Sequence, residues 1–219
     1  MGMNTGNGLP RMRKNLIVID DFLQNAEQLR EVALTLNYPA IPGYFPGRNS
    51  VERINVDGLP QLVSNLAGER LVPVEQDYSH GKFRIALDGD TGEGDIHFDF
   101  RATWSGVLFL TRPEDCRGGT EFYRHKATGT DQAPNSEAEL RALGFADYNE
   151  LINKVVREDG THRDRWDVEM TVPMRFNRLV LFNSWLWHTA GPSFGTSLEN
   201  GRLIYLMFFA PPKTLSVTL

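Results

Sequence analysis

In Asp95-Ile96-His97-Phe98-Asp99-Phe100, polar and apolar residues alternate strictly. A period of two is the mark of a β-strand, because successive side chains of a strand point to opposite faces. On such a strand His97 and Asp99 share one face, and Ile96, Phe98 and Phe100 fill the other, which can pack into a wall. An imidazole and a carboxylate on one face are two potential metal ligands, and His188, far downstream, can supply a second imidazole. By itself His-x-Asp is a common pair, and the polar side of a half-exposed strand explains it equally well.

With 219 residues the chain suits one domain. Hydrophobic residues make up 41% and aromatic residues 11%, enough for a core, which argues against global disorder. The net charge of −5 lacks the basic excess of a nucleic-acid surface, so no nucleic-acid partner is expected. Cys116 is the single cysteine; this rules out an intramolecular disulfide and a cysteine-rich zinc site, and fits a reducing compartment. No apolar run reaches the length of a membrane span. Met1–Pro10 is Gly/Asn-rich and lacks the apolar stretch of a signal peptide. Together these features predict a cytoplasmic protein with no membrane partner.

Residues 1–14 are expected as a flexible tail, followed by one domain over 15–219. Leu16-Ile17-Val18-Ile19 reads as a strand. Asn25 is expected to cap a helix with the pattern Ala26, Leu29, Val32, Ala33 and Leu36. The Pro/Gly-rich stretch 39–50, with Tyr44, Phe45 and Arg48, reads as an irregular loop that either packs on a sheet edge or forms a flap. Leu59–Leu66 is a second helix candidate. Strands then follow closely at 71–74, 82–87, 96–100 and 104–110, a spacing that argues for a sandwich or barrel. Residues 124–165 are polar and helical, with Ser136-Glu137-Ala138-Glu139 as a capping box and Asp147 as a second cap. They form an insertion that is either a lid or a solvated excursion. Strands resume at 166–172, 178–182 and 203–209.

Two imidazoles and one carboxylate on one side of a metal form a facial triad, a set that suits Fe(II) and leaves adjacent positions open. Downstream of His97 and Asp99, a Gly118-Gly119 turn leads into a strand, an apolar strand runs into His188, and Arg202 enters the last strong strand. With "HFD", "GGTEFY", "RLVLFNSWLWHTAGP" and "GRLIYLMFF" in this order over residues 83–210, the sequence resembles the Fe(II)/2-oxoglutarate-dependent dioxygenases, in particular the prolyl-4-hydroxylase-like branch. The opening "IDDFLQNAEQLREVAL" is similar to the leading strand and helix of bacterial members.

The resemblance implies a mainly β fold with flanking helices, a double-stranded β-helix (jelly roll, cupin-like). It implies that His97, Asp99 and His188 hold Fe(II) and that Arg202 pairs with the 5-carboxylate of 2-oxoglutarate. A guanidinium suits that task because it binds a carboxylate through two parallel hydrogen bonds and keeps its charge at depth. Thr111 and Tyr123 are the candidates for a second hydrogen bond to the cosubstrate. The implied activity is O₂-dependent hydroxylation of an amino-acid, peptide or natural-product substrate, with release of succinate and CO₂. Asp99 stands where the related halogenases lack a carboxylate, so hydroxylation is implied rather than halogenation. Phe208 stands where the nucleic-acid demethylases carry a second arginine.

Arg84 and Arg101, on strands near the expected mouth, could bind a substrate carboxylate, and a solvated strand face explains each equally well. Trp187 beside His188 is either wall packing or a substrate contact. Two other readings stay open: a cupin-like metalloenzyme that does not use 2-oxoglutarate, and a non-catalytic binding module. The oligomeric state is not legible.

Overall fold

The computed structural model describes residues 15–40, 43–76 and 78–212; the tail expected over 1–14 lies outside them. In chain order the strands are β1 (Leu16–Ile19), β2 (Arg48–Asn49), β3 (Val72–Pro73), β4 (Phe83–Ala86), β5 (Trp104–Phe109), β6 (Gly119–His125), β7 (Trp166–Pro173), β8 (Leu179–Asn183), β9 (His188–Thr189) and β10 (Arg202–Ala210). The α-helices are α1 (Ala26–Leu34), α2 (Leu59–Ala67), α3 (Glu137–Ala142) and α4 (Tyr148–Leu151).

Two antiparallel sheets face each other as a jelly roll. The larger runs β1-β8-β5-β10-β4-β2, with β3 on the end of β10, and the smaller runs β7-β6-β9. Strand β10 is buried on both faces, which is why it reads as a continuous apolar run rather than an alternating one. Its even positions Ile204 and Leu206 join Phe109, Val180, Phe182 and Phe122 in the layer between the sheets. Its odd positions Leu203, Tyr205, Met207 and Phe209 face outward and are covered by Leu29 and Ala33 of α1 and Leu59 and Val63 of α2. Pro60 in the first turn of α2 and left-handed Gly68 (φ 81°) after it mark the ends of that helix. Asn25 stands at the N-cap position of α1, but the expected cap is not made: its side chain forms no capping hydrogen bond.

The helical insertion is neither a free lid nor a solvated excursion. Leu140, Phe145, Leu151, Val155 and Val156 pack on Tyr123, Trp166 and Trp187 at the outer face of the smaller sheet, with Ile96 and Phe98, to form a third core. Ser136 Oγ accepts from Glu139 N and Asp147 Oδ1 from Glu150 N, as the caps predict. Helix α4 then widens into a π-helical segment, Ile152–Glu158, which the sequence did not signal. Among the described residues no helix is long and apolar enough to cross a membrane.

One expected strand is corrected. Ile96–Phe100 is not a regular strand: only His97 makes a bridge, antiparallel to His188. The chain turns away after Asp99, whose N–H donates to Ser184 O while its own carbonyl accepts from Ala102 N. Ile96 and Phe98 are buried as the alternation predicts, but Phe100 lies at the turn and is exposed.

Candidate metal centre

The bridge that replaces the strand is what assembles the centre. His97 N–H donates to His188 O and His188 N–H to His97 O, both at 2.9 Å. The closed pair sets the two imidazoles side by side, with ring centroids 4.4 Å apart. Asp99 completes the group: its Oδ1 is 3.8 Å from His97 Nε2 and its Oδ2 is 3.5 Å from His188 Nε2. One ligand atom from each of the three lies within 4.8 Å of the others, a group that could hold a metal ion.

Each of these side chains is oriented by a second partner. His97 Nδ1 lies 2.9 Å from Asp95 O, and His188 Nδ1 lies 2.8 Å from Leu186 O. A carbonyl oxygen only accepts, so both Nδ1 atoms carry the proton and both Nε2 lone pairs are left for a ligand role. Burial, with His188 beside it, lowers the pKa of His97 to about 4, which keeps that imidazole neutral. Asp99 Oδ2 accepts a 2.5 Å hydrogen bond from Ser105 Oγ, itself 2.8 Å from Ser184 Oγ.

Asp95 ties the histidine segments to the insertion. Its carbonyl holds His97, its Oδ1 accepts from Thr189 Oγ1 at 2.6 Å, and its two carboxylate oxygens accept Arg163 Nε at 2.7 Å and Nη2 at 3.2 Å. Arg163, at the end of the insertion, also donates from Nη1 to Glu121 Oε2 at 2.8 Å and to the Tyr123 hydroxyl. Gly160 approaches closely enough for its carbonyl to accept Ile96 N at 3.1 Å; a Cβ there would stand 2.2 Å from Val156 O.

From this centre a cavity of about 230 Å³ runs between the sheets, past Phe45, Tyr78, Arg84 and Thr120, to Arg202. The inward positions of β10 alternate as Arg202, Ile204, Leu206 and Phe208 along its floor. Arg202 is 1% exposed, and its Nε and Nη2 have no hydrogen-bond partner among the described residues. Neither has Thr120 Oγ1. Burial, with Arg84 nearby, lowers the Arg202 pKa to about 9. A buried unpaired guanidinium is costly, and an anion at this end of the cavity would offset that cost.

His97, Asp99, His188, Arg84 and Arg202 therefore line one cavity. The remaining sequence candidates do not. Thr111 Oγ1 is spent within the scaffold, donating to Gly201 O and accepting from Leu203 N. The Tyr123 hydroxyl donates to Glu121 and accepts from Arg163 on the other side of the smaller sheet. Trp187 is fully buried in the core under the insertion, its Nε1 donating to Thr130 Oγ1. Arg101 is exposed, outside the cavity lining.

Sequence reasoning missed Thr120, Ser105, Asp95 and Arg163. Thr120 lies inside the quoted "GGTEFY", where the strand period places it on the face opposite Tyr123. The other three become visible only through pairing. Loop 39–50, of which residues 41 and 42 lie outside the described ones, contributes Phe45, whose ring centroid is 4.0 Å from that of His97. The loop is seated on Gly92 and Gly94, where a Cβ would meet Tyr44 and Phe45 within 2.7 Å.

A family model described as "Family of unknown function (DUF6445)" matches residues 97–209, a stretch that begins at the first histidine of the centre and includes Arg202. No curated protein matches the sequence. Among solved structures, HygX from Streptomyces hygroscopicus, with nickel, 2-oxoglutarate and hygromycin B bound, is similar at 13% identity. That match covers 92% of this chain and 84% of HygX, with a TM-score of 0.51. AviO1 from Streptomyces viridochromogenes Tue57 is similar at 15% identity over 92% of each chain, with a TM-score of 0.50. At these identities the likeness is one of fold.

Proposed function

The chain belongs to the DUF6445 family of unknown function, and we propose that it is an Fe(II)- and 2-oxoglutarate-dependent dioxygenase. In this reading it hydroxylates an unactivated C–H bond of an amino-acid, peptide or natural-product substrate. Residues 15–219 act as one catalytic domain in the cytoplasm. The observation that carries the reading is the unpartnered guanidinium of Arg202, buried in the same cavity as a His, Asp, His group.

The donor set fits the metal. Two neutral imidazoles and one carboxylate suit Fe(II), and their outer partners, Asp95 O, Leu186 O and Ser105 Oγ, fix each ligand's direction. The far end fits the cosubstrate: Arg202 pairs with the 5-carboxylate of 2-oxoglutarate, and Thr120 Oγ1, in place of Thr111 or Tyr123, gives it a further hydrogen bond. When bound, iron with 2-oxoglutarate and O₂ supplies the oxidant for C–H hydroxylation and releases succinate and CO₂. The chain's own residues supply orientation and dryness. Phe182 packs edge-on against His188 at 4.6 Å and Phe45 lies tilted over His97 at 4.0 Å, apolar cover that keeps water from the ligand side. The similarity to HygX, whose structure holds 2-oxoglutarate, supports the reading. A cupin-like enzyme without 2-oxoglutarate would leave Arg202 and Thr120 buried with nothing to bind.

The test is anaerobic addition of Fe(II) and 2-oxoglutarate, watching for the weak visible metal-to-ligand charge-transfer band. Wild type develops the band and Asp99→Ala loses it. Iron-loaded wild type that stays colourless on addition of 2-oxoglutarate overturns the proposal and brings the cupin-like reading forward.

A further inference from the structure

We propose that Arg84 is a specificity-determining residue that receives an acidic group of the substrate, so that the substrate class is anionic. The inference rests on the reading of the cavity given above. Arg84 sits on β4 opposite Ile204, one inward position along from the Arg202–Ala86 pair. It lines the cavity with the metal centre and with Arg202.

Its side chain is held ready but not used up. Arg84 Nε donates to Asn49 Oδ1 at 2.8 Å, and Asn49 Nδ2 donates to Ser79 Oγ at 2.7 Å. The guanidinium carbon stands 5.9 Å from the centroid of the Phe45 ring, which packs against His97. Among the described residues neither Nη group has a hydrogen-bond partner and no carboxylate forms an ion pair with Arg84, on which the Asp99 charge acts without contact. A structural arginine in a partly dry site would be expected to have its Nη groups bound, as those of Arg30 are by Leu110 O and Glu199 O. Arg84 is therefore oriented toward a ligand rather than neutralised by the fold.

Charge balance separates this ligand from the cosubstrate. Arg202 at the floor already matches one carboxylate of 2-oxoglutarate, and the other belongs on the metal. Counting the described residues that line the filled site, a divalent ion, Asp99, Arg84, Arg202 and a dianionic cosubstrate leave one positive charge over, with both ligating histidines neutral. Asp95 and Glu121 are engaged by Arg163 and do not line the cavity. One singly charged acidic group on the substrate closes the balance. Arg84 is the group placed to receive it, because Asn49 and Phe45 hold it on the side of loop 43–50, beside His97, rather than at the floor. Burial also lowers the Arg84 pKa, against the opposing pull of the Asp99 carboxylate.

The test is binding to the anaerobic Fe(II)–2-oxoglutarate complex, read as a change in its charge-transfer band. The probes are the common N-acetyl amino acids, each compared with its primary amide, which differ only in the charged group. In wild type at least one acid binds about tenfold or more tightly than its amide, the worth of a charge-assisted hydrogen bond. Arg84→Gln loses that preference, and Arg84→Lys keeps part of it. The affinity of both variants for 2-oxoglutarate stays within about threefold of wild type, far below the tenfold loss of one such bond. A panel in which no acid outbinds its amide overturns the assignment. So does an Arg84→Gln protein that loses 2-oxoglutarate but keeps the preference, since Arg84 would then serve the cosubstrate. A wild type with no charge-transfer band removes the underlying dioxygenase reading as well, so the two failures are distinguishable.

Discussion

The two ends of the cavity obey opposite rules. At the candidate metal end each side chain is tied down before any ion arrives: His97 by Asp95 O, His188 by Leu186 O, and Asp99 by Ser105, itself bonded to Ser184. At the other end, Arg202 Nε and Nη2 and Thr120 Oγ1 are buried with nothing to bind among the described residues. The first end is preorganised by satisfied hydrogen bonds, which fix geometry to a fraction of an ångström. The second holds back its hydrogen-bonding capacity, at a cost to the fold of order 1–3 kcal/mol for each unmet group. A metal site must be exact in direction, whereas an anion site must be hungry.

The largest expected effect tests the unsatisfied end. Arg202→Met removes the buried cation and keeps a long apolar side chain in its place. Affinity for 2-oxoglutarate, followed by the charge-transfer band, falls by about 100-fold or more, the loss of a bidentate charged pair. In the same protein the fold gains about 1–3 kcal/mol, because an unpartnered buried charge has gone. Thermal unfolding checks this, and a fall in Tm would mean that Arg202 has structural partners after all.

The next effect tests the satisfied end. Arg163→Gln opens the fork that holds Asp95, and Asp95 in turn holds His97 and Thr189. Affinity for Co(II) or Fe(II), measured by calorimetry, should fall by about 10–100-fold, the usual size of an outer-partner loss. The circular dichroism spectrum should stay native. Unchanged affinity would show that the histidines are placed by backbone pairing alone.

The smallest effect lies in the scaffold beneath. His80 Nδ1 accepts Phe208 N–H at 2.9 Å, a role open only to the neutral ring, and burial lowers its pKa. A histidine whose pKa is depressed in the folded state gives stability that is full above its ordinary value of 6.5 and is lost as pH falls through the lower folded value. His97 titrates with the same sign. Denaturant midpoints of the metal-free protein should therefore fall as pH drops below about 6.5. His80→Asn, which keeps an acceptor but no titrating ring, should flatten that slope; an unaltered slope would assign it to His97 alone.

What the sequence revealed depended on the distance over which each residue's role is set. The β-rich fold, helices α1 and α2 and the caps at Ser136 and Asp147 came from local period and capping chemistry. That His97, Asp99, His188 and Arg202 would come together was legible because few residue types suit a metal or an anion, and the four line one cavity. Ile96–Phe100 misled because alternation records which side chains are buried, not whether the backbone has a neighbour; it loses its neighbour after Asp99. The insertion showed its helical period, but nothing local said that its apolar side would seat on Trp166 and Trp187. Arg163, in a charged run, reads as solvated until its partners Asp95 and Glu121 are seen, 68 and 42 positions away. Thr120 was hidden because an unsatisfied hydroxyl has no sequence signature.

The two hydrogen bonds exchanged by His97 and His188 join points about ninety residues apart, a loop whose closure entropy must be met before they can form. The ligands are therefore scattered in the unfolded chain, and any affinity for a divalent ion is an affinity of the native state alone. Linkage would then make a bound ion a conformational clamp: at a free concentration a hundredfold above Kd it would deepen the native well by about 2.7 kcal/mol. Newly made chains would be captured by metal only after the sheets have closed, so a cell short of the ion would hold this protein folded but with a shallower margin against unfolding and proteolysis.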